Sequence, residues 1–175
     1  MSSTLGKVKA NEFYPTPCSV VNTLLSRLTI KSGDRFLEPC RGNGAIYDKI
    51  QLPESHKSYA EITEGIDYLN TSFDKHDIII TNPPFSLTEQ FLDKSMSELS
   101  EGGTLAYLQR VNFLGSKKRI NFWERVGHPG KFPIIVPRPR FLKSGSDSCE
   151  YAWFIWDHGN RFSIPNGICS LVTDK

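Results

Sequence analysis

Apolar and polar positions along the chain change their period several times, and each change marks a predicted element. Residues 15–28 carry apolar side chains at helical spacing, and Pro17 suits an early helical position. Residues 86–99 and 116–126 repeat this period and predict two further helices. Strands are predicted for short runs rich in β-branched and aromatic residues, namely 35–40, 57–62, 76–81, 104–111 and 150–157.

The order of these elements indicates an α/β fold with a largely parallel sheet, because strands alternate with helices. A glycine turn over 41–44 leads into a further predicted helix, 45–50. Segment 131–145 combines prolines with basic residues, and the tail 164–175 is a weak strand candidate. The strand-rich last third is expected to complete the sheet, with an antiparallel strand at its edge.

Composition is typical of a globular protein, with 38% hydrophobic and 23% charged residues. Its 175 residues suit one domain, so we expect a flexible lead over 1–12 and a single domain over 13–175. No apolar run reaches the roughly 20 residues that span a membrane, and the N-terminus lacks the apolar stretch of a secretory signal. The four cysteines are scattered, which favours reduced thiols in the cytoplasm.

Charge is unevenly distributed, although the net charge is only +2. Residues 110–143 hold nine lysines or arginines and one acid, Glu124, whereas the rest of the chain is acidic. A basic segment on a nearly neutral chain suggests a polyanionic partner. The alternative is a solvated face that keeps the protein soluble.

A first candidate site follows the strand in FLEPCRGNG, residues 36–44. Gly42 and Gly44 allow a sharp turn and a close approach of a ligand to the backbone. The turn differs from the dinucleotide fingerprint GxGxxG, and the preceding carboxylate of Glu38 suits an ammonium or hydroxyl partner. The alternative is a plain strand-to-helix connection.

Two more acids fall at comparable places along the sheet. Glu61 ends the second predicted strand, where such folds hold ribose hydroxyls with a carboxylate. Asp67 is followed by Tyr68, and the pair suits an adenine amino group and a stacked base. Each alone is compatible with an ordinary surface acid, but their order along one sheet edge favours a nucleotide-like ligand.

A second candidate site is TNPPF, residues 81–85, directly behind three consecutive isoleucines. The prolines end the strand because they have no N–H to donate. The Asn82 side-chain oxygen and the Pro83 carbonyl can each accept one hydrogen of an exocyclic amine, and Phe85 offers a face for a planar base. The alternative is a strand stopped by proline, with Asn82 in a turn.

Five motifs occur in one order: YPTP (14–17), LEPCRGNG (37–44), AEI (60–62), GIDYL (65–69) and NPPF (82–85). In this order the chain resembles S-adenosylmethionine-dependent N6-adenine DNA methyltransferases of the gamma motif order, in a compact, phage-type form. The resemblance covers about residues 13–157. It implies a Rossmann-like class I methyltransferase fold with helices on both faces of the sheet, acting in the cytoplasm of a bacterial host.

The resemblance also implies roles for individual residues. Those assigned to S-adenosylmethionine are Tyr14, Thr16, Pro17, Glu38, Pro39, Gly42, Gly44, Glu61, Asp67, Tyr68 and Asn82. Those assigned to catalysis on the target base are Asn82, Pro83, Pro84 and Phe85. No metal site is expected, because the four histidines lack metal-ligand spacing.

The basic segment is interpreted as a track for the nucleic acid. Its cations would grip phosphates, and its interleaved aromatic residues would stack on a base or fill the gap left by a flipped one. For each aromatic residue, packing in the core is the alternative. The predicted nucleic-acid-binding residues are Arg110, Phe113, Lys117, Lys118, Arg119, Arg138, Arg140 and Lys143.

DNA is the predicted substrate, and three alternatives remain open. The first alternative is the same N6-adenine methylation on RNA, because Phe85 in place of tyrosine also occurs in enzymes that methylate adenine in RNA. A nucleic-acid-binding protein that keeps the fold but has little turnover is a second alternative. Methylation of a glutamine amide in a protein is a third, although a protein substrate does not require the basic segment.

Overall fold

A single sheet of seven strands organises the computed structural model, which describes residues 13–141 and 148–173. The strands are β1 (Phe36–Glu38), β2 (Lys57–Tyr59), β3 (His76–Thr81), β4 (Leu99–Arg110), β5 (Lys131–Val136), β6 (Tyr151–Asp157) and β7 (Gly167–Val172). The α-helices are α1 (Cys18–Leu25), α2 (Thr88–Glu98) and α3 (Ile120–Val126). The predicted lead over residues 1–12 lies outside the described residues.

The strand order is β2-β1-β3-β4-β6-β5-β7, and every strand except β6 runs in the same direction. The prediction of a largely parallel sheet is therefore confirmed. The predicted position of the antiparallel strand is wrong, because β6 lies inside the sheet between β4 and β5. The edge is formed by β7, which pairs in parallel with β5.

Strand β5 arises within the segment that the sequence marked only as rich in proline and basic residues. Its apolar side chains outweigh the single proline inside it. Its ladder with β6 pairs Lys131 with Ile155 and Ile134 with Ala152, on either side of Pro133. Proline interrupts a ladder in this way because it has no N–H to donate.

Helices cover both faces of the sheet, as predicted. Ile78 and Ile80 of β3 point into one hydrophobic cluster, which includes the buried side of α1. Ile79 points into the other cluster, which includes residues of α2 and α3. This alternation follows from the two-residue period of a strand, and it explains why a run of three isoleucines is needed where both faces are covered.

Two predicted elements differ from the structure. The predicted helix over 45–50 is only a 3₁₀ turn, Tyr47–Lys49, because the chain returns to an extended conformation at Ile50. Strand β4 begins at Leu99, not at 104, so Gly102 and Gly103 lie within the strand. Within the described ranges, no helix is long and apolar enough to cross a membrane.

Candidate active site

The predicted site residues converge on the edge of the sheet that the carboxyl ends of the parallel strands form. Strands β1, β2, β3 and β4 all end there, so Glu38, Glu61, Asn82 and Arg110 meet at this edge although they are far apart in sequence. The antiparallel β6 begins at the same edge, where Tyr151 pairs with Arg110. Ligands of open α/β sheets bind at the carboxyl ends of the strands, so this edge is the candidate active site.

A cavity of about 510 Å³ opens beside the ends of β1 and β2. A much smaller cleft, of about 20 Å³, adjoins it in front of β3. Both are lined by Phe13, Cys40, Gly42 and Asn43, so they form one continuous groove. The large cavity has room for a nucleoside, and the cleft leads from it to Asn82 and Pro83.

The glycine turn shapes the groove where the two cavities meet. Gly42 has a φ of 56° and Gly44 a φ of 84°, conformations that side chains rarely adopt. A Cβ on Gly42 would also lie 2.7 Å from the ring of Phe13. Gly44 itself is buried and lines neither cavity, so its role is to turn the chain.

Glu61 holds the glycine turn in place. Its carboxylate accepts hydrogen bonds from the Gly42 N–H at 2.7 Å and from the Thr63 N–H and hydroxyl at 3.0 and 2.7 Å. Burial opposes ionisation of Glu61, but the hydrogen bonds from Thr63 and Gly42 outweigh it and lower the pKa of this carboxyl. The result is an ionised acceptor on the wall of the large cavity.

Glu38 is the other acid of the groove, and its environment is the opposite. Its side chain is 2% exposed, and among the described residues its Oε2 atom has no hydrogen-bond partner. Burial is the main cause that raises the pKa of this carboxyl well above its ordinary value. Glu38 lines the small cleft, so a carboxyl with one unpartnered oxygen lies beside the place where a ligand would end.

The pair Asp67 and Tyr68 lines the far wall of the large cavity. The Asp67 carboxylate accepts a hydrogen bond from the Leu69 N–H at 3.0 Å. Tyr68 is only 2% exposed, and its hydroxyl donates to Glu98 at 2.7 Å. The expectation that its ring stacks openly on a base is therefore corrected: the ring is a buried part of the wall, packed against Phe91.

Asn82 is tied to the N-terminal segment. Its side-chain nitrogen donates to the Tyr14 carbonyl at 2.9 Å and to the Thr16 hydroxyl at 3.1 Å. Pro83 lines the small cleft beside it, and Pro84 lines the large cavity. Pro17 lines neither cavity and instead precedes α1 as its N-cap residue.

Aromatic rings surround Phe85, next to the end of β4 and the start of β6. The ring of Tyr14 stacks on Phe85 with centroids 5.9 Å apart and planes 16° apart, and Tyr151 lies at 5.9 Å. The Arg110 guanidinium lies 5.2 Å from the Phe85 centroid and donates to the Tyr151 hydroxyl. Phe141 closes the cluster against Tyr14 and Tyr151.

The residues of the predicted basic track are exposed to different degrees, and two of them pair with acids. Lys117, Lys118 and Arg140 are exposed. Arg119 bonds Glu89 at 2.7 Å, and Arg138 forms an ion pair with Glu150. Lys143 lies outside the described residues.

Phe113 is wrongly placed by the sequence prediction. Its ring is 6% exposed and packs edge-on against Phe122, Trp123 and Phe154. Arg119 covers it further, with the guanidinium 4.0 Å from the ring centroid. Burial of an apolar ring in the core stabilises the fold, so Phe113 supports the fold and does not offer a face to a base.

Several groove residues escaped the sequence analysis. Phe13 lies just before YPTP, and Cys40 lies inside the glycine motif, where burial together with Glu61 and Glu38 raises the pKa of its thiol to about 12. Ile62 and Leu87 are exposed apolar residues at the large cavity. Their only sequence signal is a position within or close to a motif. In the part of the chain that the structure describes, no cluster of three His, Cys, Asp or Glu side chains could hold a metal ion.

No family model matches the sequence, and no curated protein matches it. Solved structures are similar in fold. A protein from Listeria monocytogenes described as a class I S-adenosylmethionine-dependent methyltransferase superposes with a TM-score of 0.63 at 16% identity, over 90% of this chain and 65% of that one.

Modification subunits of type I restriction enzymes are also similar. The Vibrio vulnificus subunit has a TM-score of 0.60 at 16% identity, over 87% of this chain and 46% of that one. The M protein of EcoKI has a TM-score of 0.60 at 13% identity, over 94% and 50%. The chain thus spans two thirds or less of these proteins, and it has the Rossmann-like class I methyltransferase fold.

Proposed function

We propose that this chain transfers a methyl group from S-adenosylmethionine to the N6 amino group of adenine in DNA. The observation that carries the proposal is the setting of Asn82. Its amide nitrogen is bonded to the N-terminal segment, which leaves the amide oxygen as an acceptor beside Pro83, at the end of the groove. An exocyclic amine with two hydrogens fits such a pair of acceptors.

The groove fits the cofactor in size and in chemistry. The unpartnered Oε2 of Glu38 in the small cleft suits the ammonium group of a methionine moiety. The ionised Glu61 suits two ribose hydroxyls, and the exposed apolar side chains of Ile62 and Leu87 suit an adenine ring. When bound, S-adenosylmethionine supplies an electrophilic methyl group on a sulfonium centre.

The residues at the target side would prepare the amine for attack. Asn82 Oδ1 and the Pro83 carbonyl would each accept one N6 hydrogen, which draws the nitrogen towards tetrahedral geometry and frees its lone pair. The amine loses a proton only after it has gained the methyl group, so a strong base is not needed. Catalysis then depends on alignment, which a fixed amide and two rigid prolines provide.

DNA is supported as the substrate by charge and by the comparisons. Arg110, Lys117, Lys118, Arg138 and Arg140 lie at or near the edge that carries Asn82, where they would hold phosphates. Similarity to modification subunits of restriction enzymes favours the same choice. The order of the motifs, with the cofactor turn before NPPF, supports a gamma-type enzyme. We propose that it is of the compact phage type and acts in the cytoplasm of a bacterial host.

The test measures methyl transfer from labelled S-adenosylmethionine to unmethylated duplex DNA, single-stranded DNA and structured RNA at one salt concentration. Mass spectrometry of the nucleosides identifies the product. We expect N6-methyldeoxyadenosine, and Asn82→Ala should lower kcat at least about 100-fold because it removes one acceptor of the amine. The matched control is Asn166→Ala. Asn166 is exposed and lies just before β7, at the edge of the sheet where the parallel strands begin.

Other products would redirect the proposal. Methyladenosine in RNA alone would replace DNA by RNA as the substrate. Near-normal turnover of Asn82→Ala would refute the mechanism. Binding of DNA and cofactor without transfer to any nucleic acid would favour a binding role or a protein substrate.

A further inference from the structure

Thr16 contacts Asn82 from the N-terminal segment, although the motif resemblance implied a contact with the cofactor. Its side chain is 9% exposed, and its hydroxyl oxygen lies 3.1 Å from Asn82 Nδ2. The Tyr14 carbonyl lies 2.9 Å from the same nitrogen. One short stretch of chain therefore supplies two acceptors to one amide.

These contacts decide which way the amide of Asn82 faces. The Tyr14 carbonyl can only accept a hydrogen bond, so the amide nitrogen and not the oxygen must face it. The second hydrogen of the nitrogen is directed to Thr16. Because the amide is planar and conjugated, binding both hydrogens fixes the oxygen on the opposite side and makes it a stronger acceptor.

We propose that Thr16 is a positioning residue for Asn82, which sets the acceptor that receives the target amine. The inference rests on the proposed function, but it assigns to Thr16 the orientation of the Asn82 amide and not cofactor affinity. Loss of its hydroxyl leaves one hydrogen of the amide without its partner. The amide then turns more freely, and the oxygen is correctly placed for a smaller share of the time.

The kinetic test compares Thr16→Val, which keeps the shape and removes the hydroxyl, with Thr16→Ser, which keeps the hydroxyl. Thr16→Val should lower kcat about tenfold, while the Kd for S-adenosylmethionine changes less than about twofold. Thr16→Ser should keep most of the wild-type kcat. Thr23→Val in α1 is the matched control, because the Thr23 hydroxyl donates to the Ser19 carbonyl of its own helix at 2.8 Å.

A loss of cofactor affinity without a fall in kcat would overturn the inference, and so would full kcat in Thr16→Val. A general structural defect would appear as a lower Tm of Thr16→Val, and Thr16→Ser would then lose kcat as well. Each of these outcomes separates positioning from the cofactor contact that the motif resemblance implied.

A second readout does not depend on turnover. In protein labelled with ¹⁵N-asparagine, the side-chain NH₂ signal of Asn82 is identified by its loss in Asn82→Ala. Thr16→Val should shift one of its two protons and speed its exchange with water, whereas Thr16→Ser and Thr23→Val should not. An unchanged signal in Thr16→Val would overturn the inference. If Thr16→Val shows the shift but the wild-type protein transfers no methyl group, only the proposed function is overturned.

Discussion

The two halves of the active edge are built differently. At the ends of β1, β2 and β3, Glu38, Glu61 and Asn82 are partly or fully buried, and their positions are set by backbone contacts. At the ends of β4 and β5, the functional candidates are long cations on the surface. Arg119 and Arg138 are held by carboxylates of the same protein.

The difference indicates how each half would bind its ligand. Buried groups in fixed positions recognise a small molecule by geometry, and moving one of them is costly. Exposed cations act mainly through charge, so they tolerate substitution and depend on salt. Single substitutions should therefore greatly weaken binding in the cofactor half, at the ends of β1, β2 and β3. In the basic half, at the ends of β4 and β5, binding should weaken gradually as cations are removed.

Among the substitutions that test this comparison, the largest effect is expected for Glu61→Ala. It removes the acceptor of the Gly42 N–H as well as the proposed partner of the ribose, so both the turn and the ligand lose a fixed contact. We expect the Kd for S-adenosylmethionine to rise about 100-fold, measured by calorimetry. Glu101→Ala, exposed near the start of β4, is the control; equal affinity in both variants would contradict a preorganised cofactor half.

Glu38→Gln tests whether burial of the Glu38 carboxyl lowers the free energy of unfolding at higher pH. The pKa of Glu38 is raised on folding, so the folded protein keeps this proton where the unfolded chain has released it. Its contribution to the free energy of unfolding is present below its ordinary pKa of 4.5 and is lost as pH rises through the folded value.

The wild-type free energy of unfolding should therefore fall relative to that of Glu38→Gln as pH rises, by at most about 1.4 kcal/mol per pH unit. Urea unfolding at a series of pH values measures this. Glu101→Gln should run parallel to the wild type. A parallel curve for Glu38→Gln as well would show that the carboxyl is not destabilised by burial.

Gly42→Ala should raise the Kd for S-adenosylmethionine about five- to thirtyfold, since a φ of 56° costs about 1–2 kcal/mol in any residue with a Cβ. Gly33→Ala is the control, because that glycine has no positive φ and no neighbour within 4 Å of an added Cβ. The double variant with Phe13→Ala should not recover affinity. Recovery would show that crowding by the Phe13 ring, and not the backbone, limits this position.

The smallest effect is expected in the basic half. Lys117→Ala/Lys118→Ala should weaken DNA binding about fivefold at low salt and reduce the slope of log Kd against log salt by about 1.8, if each lysine contacts one phosphate. Lys31→Ala/Lys75→Ala, at the opposite edge, should leave both values unchanged. A loss as large as that of Glu61→Ala would remove the distinction between the two halves.

Much of the cofactor half was predictable from sequence because its motifs are local. The glycine turn and the Asn-Pro-Pro run each follow a strand, and the acid before the turn ends one. The ends of parallel strands meet at one edge. Their convergence therefore follows from strand order alone. What the motifs could not show is that Glu61 bonds Gly42 across 19 positions, or that Asn82 is held by Tyr14 and Thr16.

The basic half was less predictable. A lysine or arginine looks the same in sequence whether a carboxylate holds it or solvent does, so the pairs Arg119–Glu89 and Arg138–Glu150 were not foreseen. Phe113 was mistaken for a surface ring because an apolar residue between cations gives no sign of what packs on it. The position of β6 inside the sheet also depends on long-range pairing that no local pattern encodes.

The sequence by itself determined the α/β class, the parallel strands and the residue types at their ends, since these depend on short-range periodicity and on the conformational limits of glycine and proline. Only the tertiary structure decided which groups face the groove and how each is charged. Burial raises the pKa of the Glu38 carboxyl, whereas hydrogen bonds lower that of Glu61. Two glutamates of one groove differ because solvation and partners are properties of the folded surroundings.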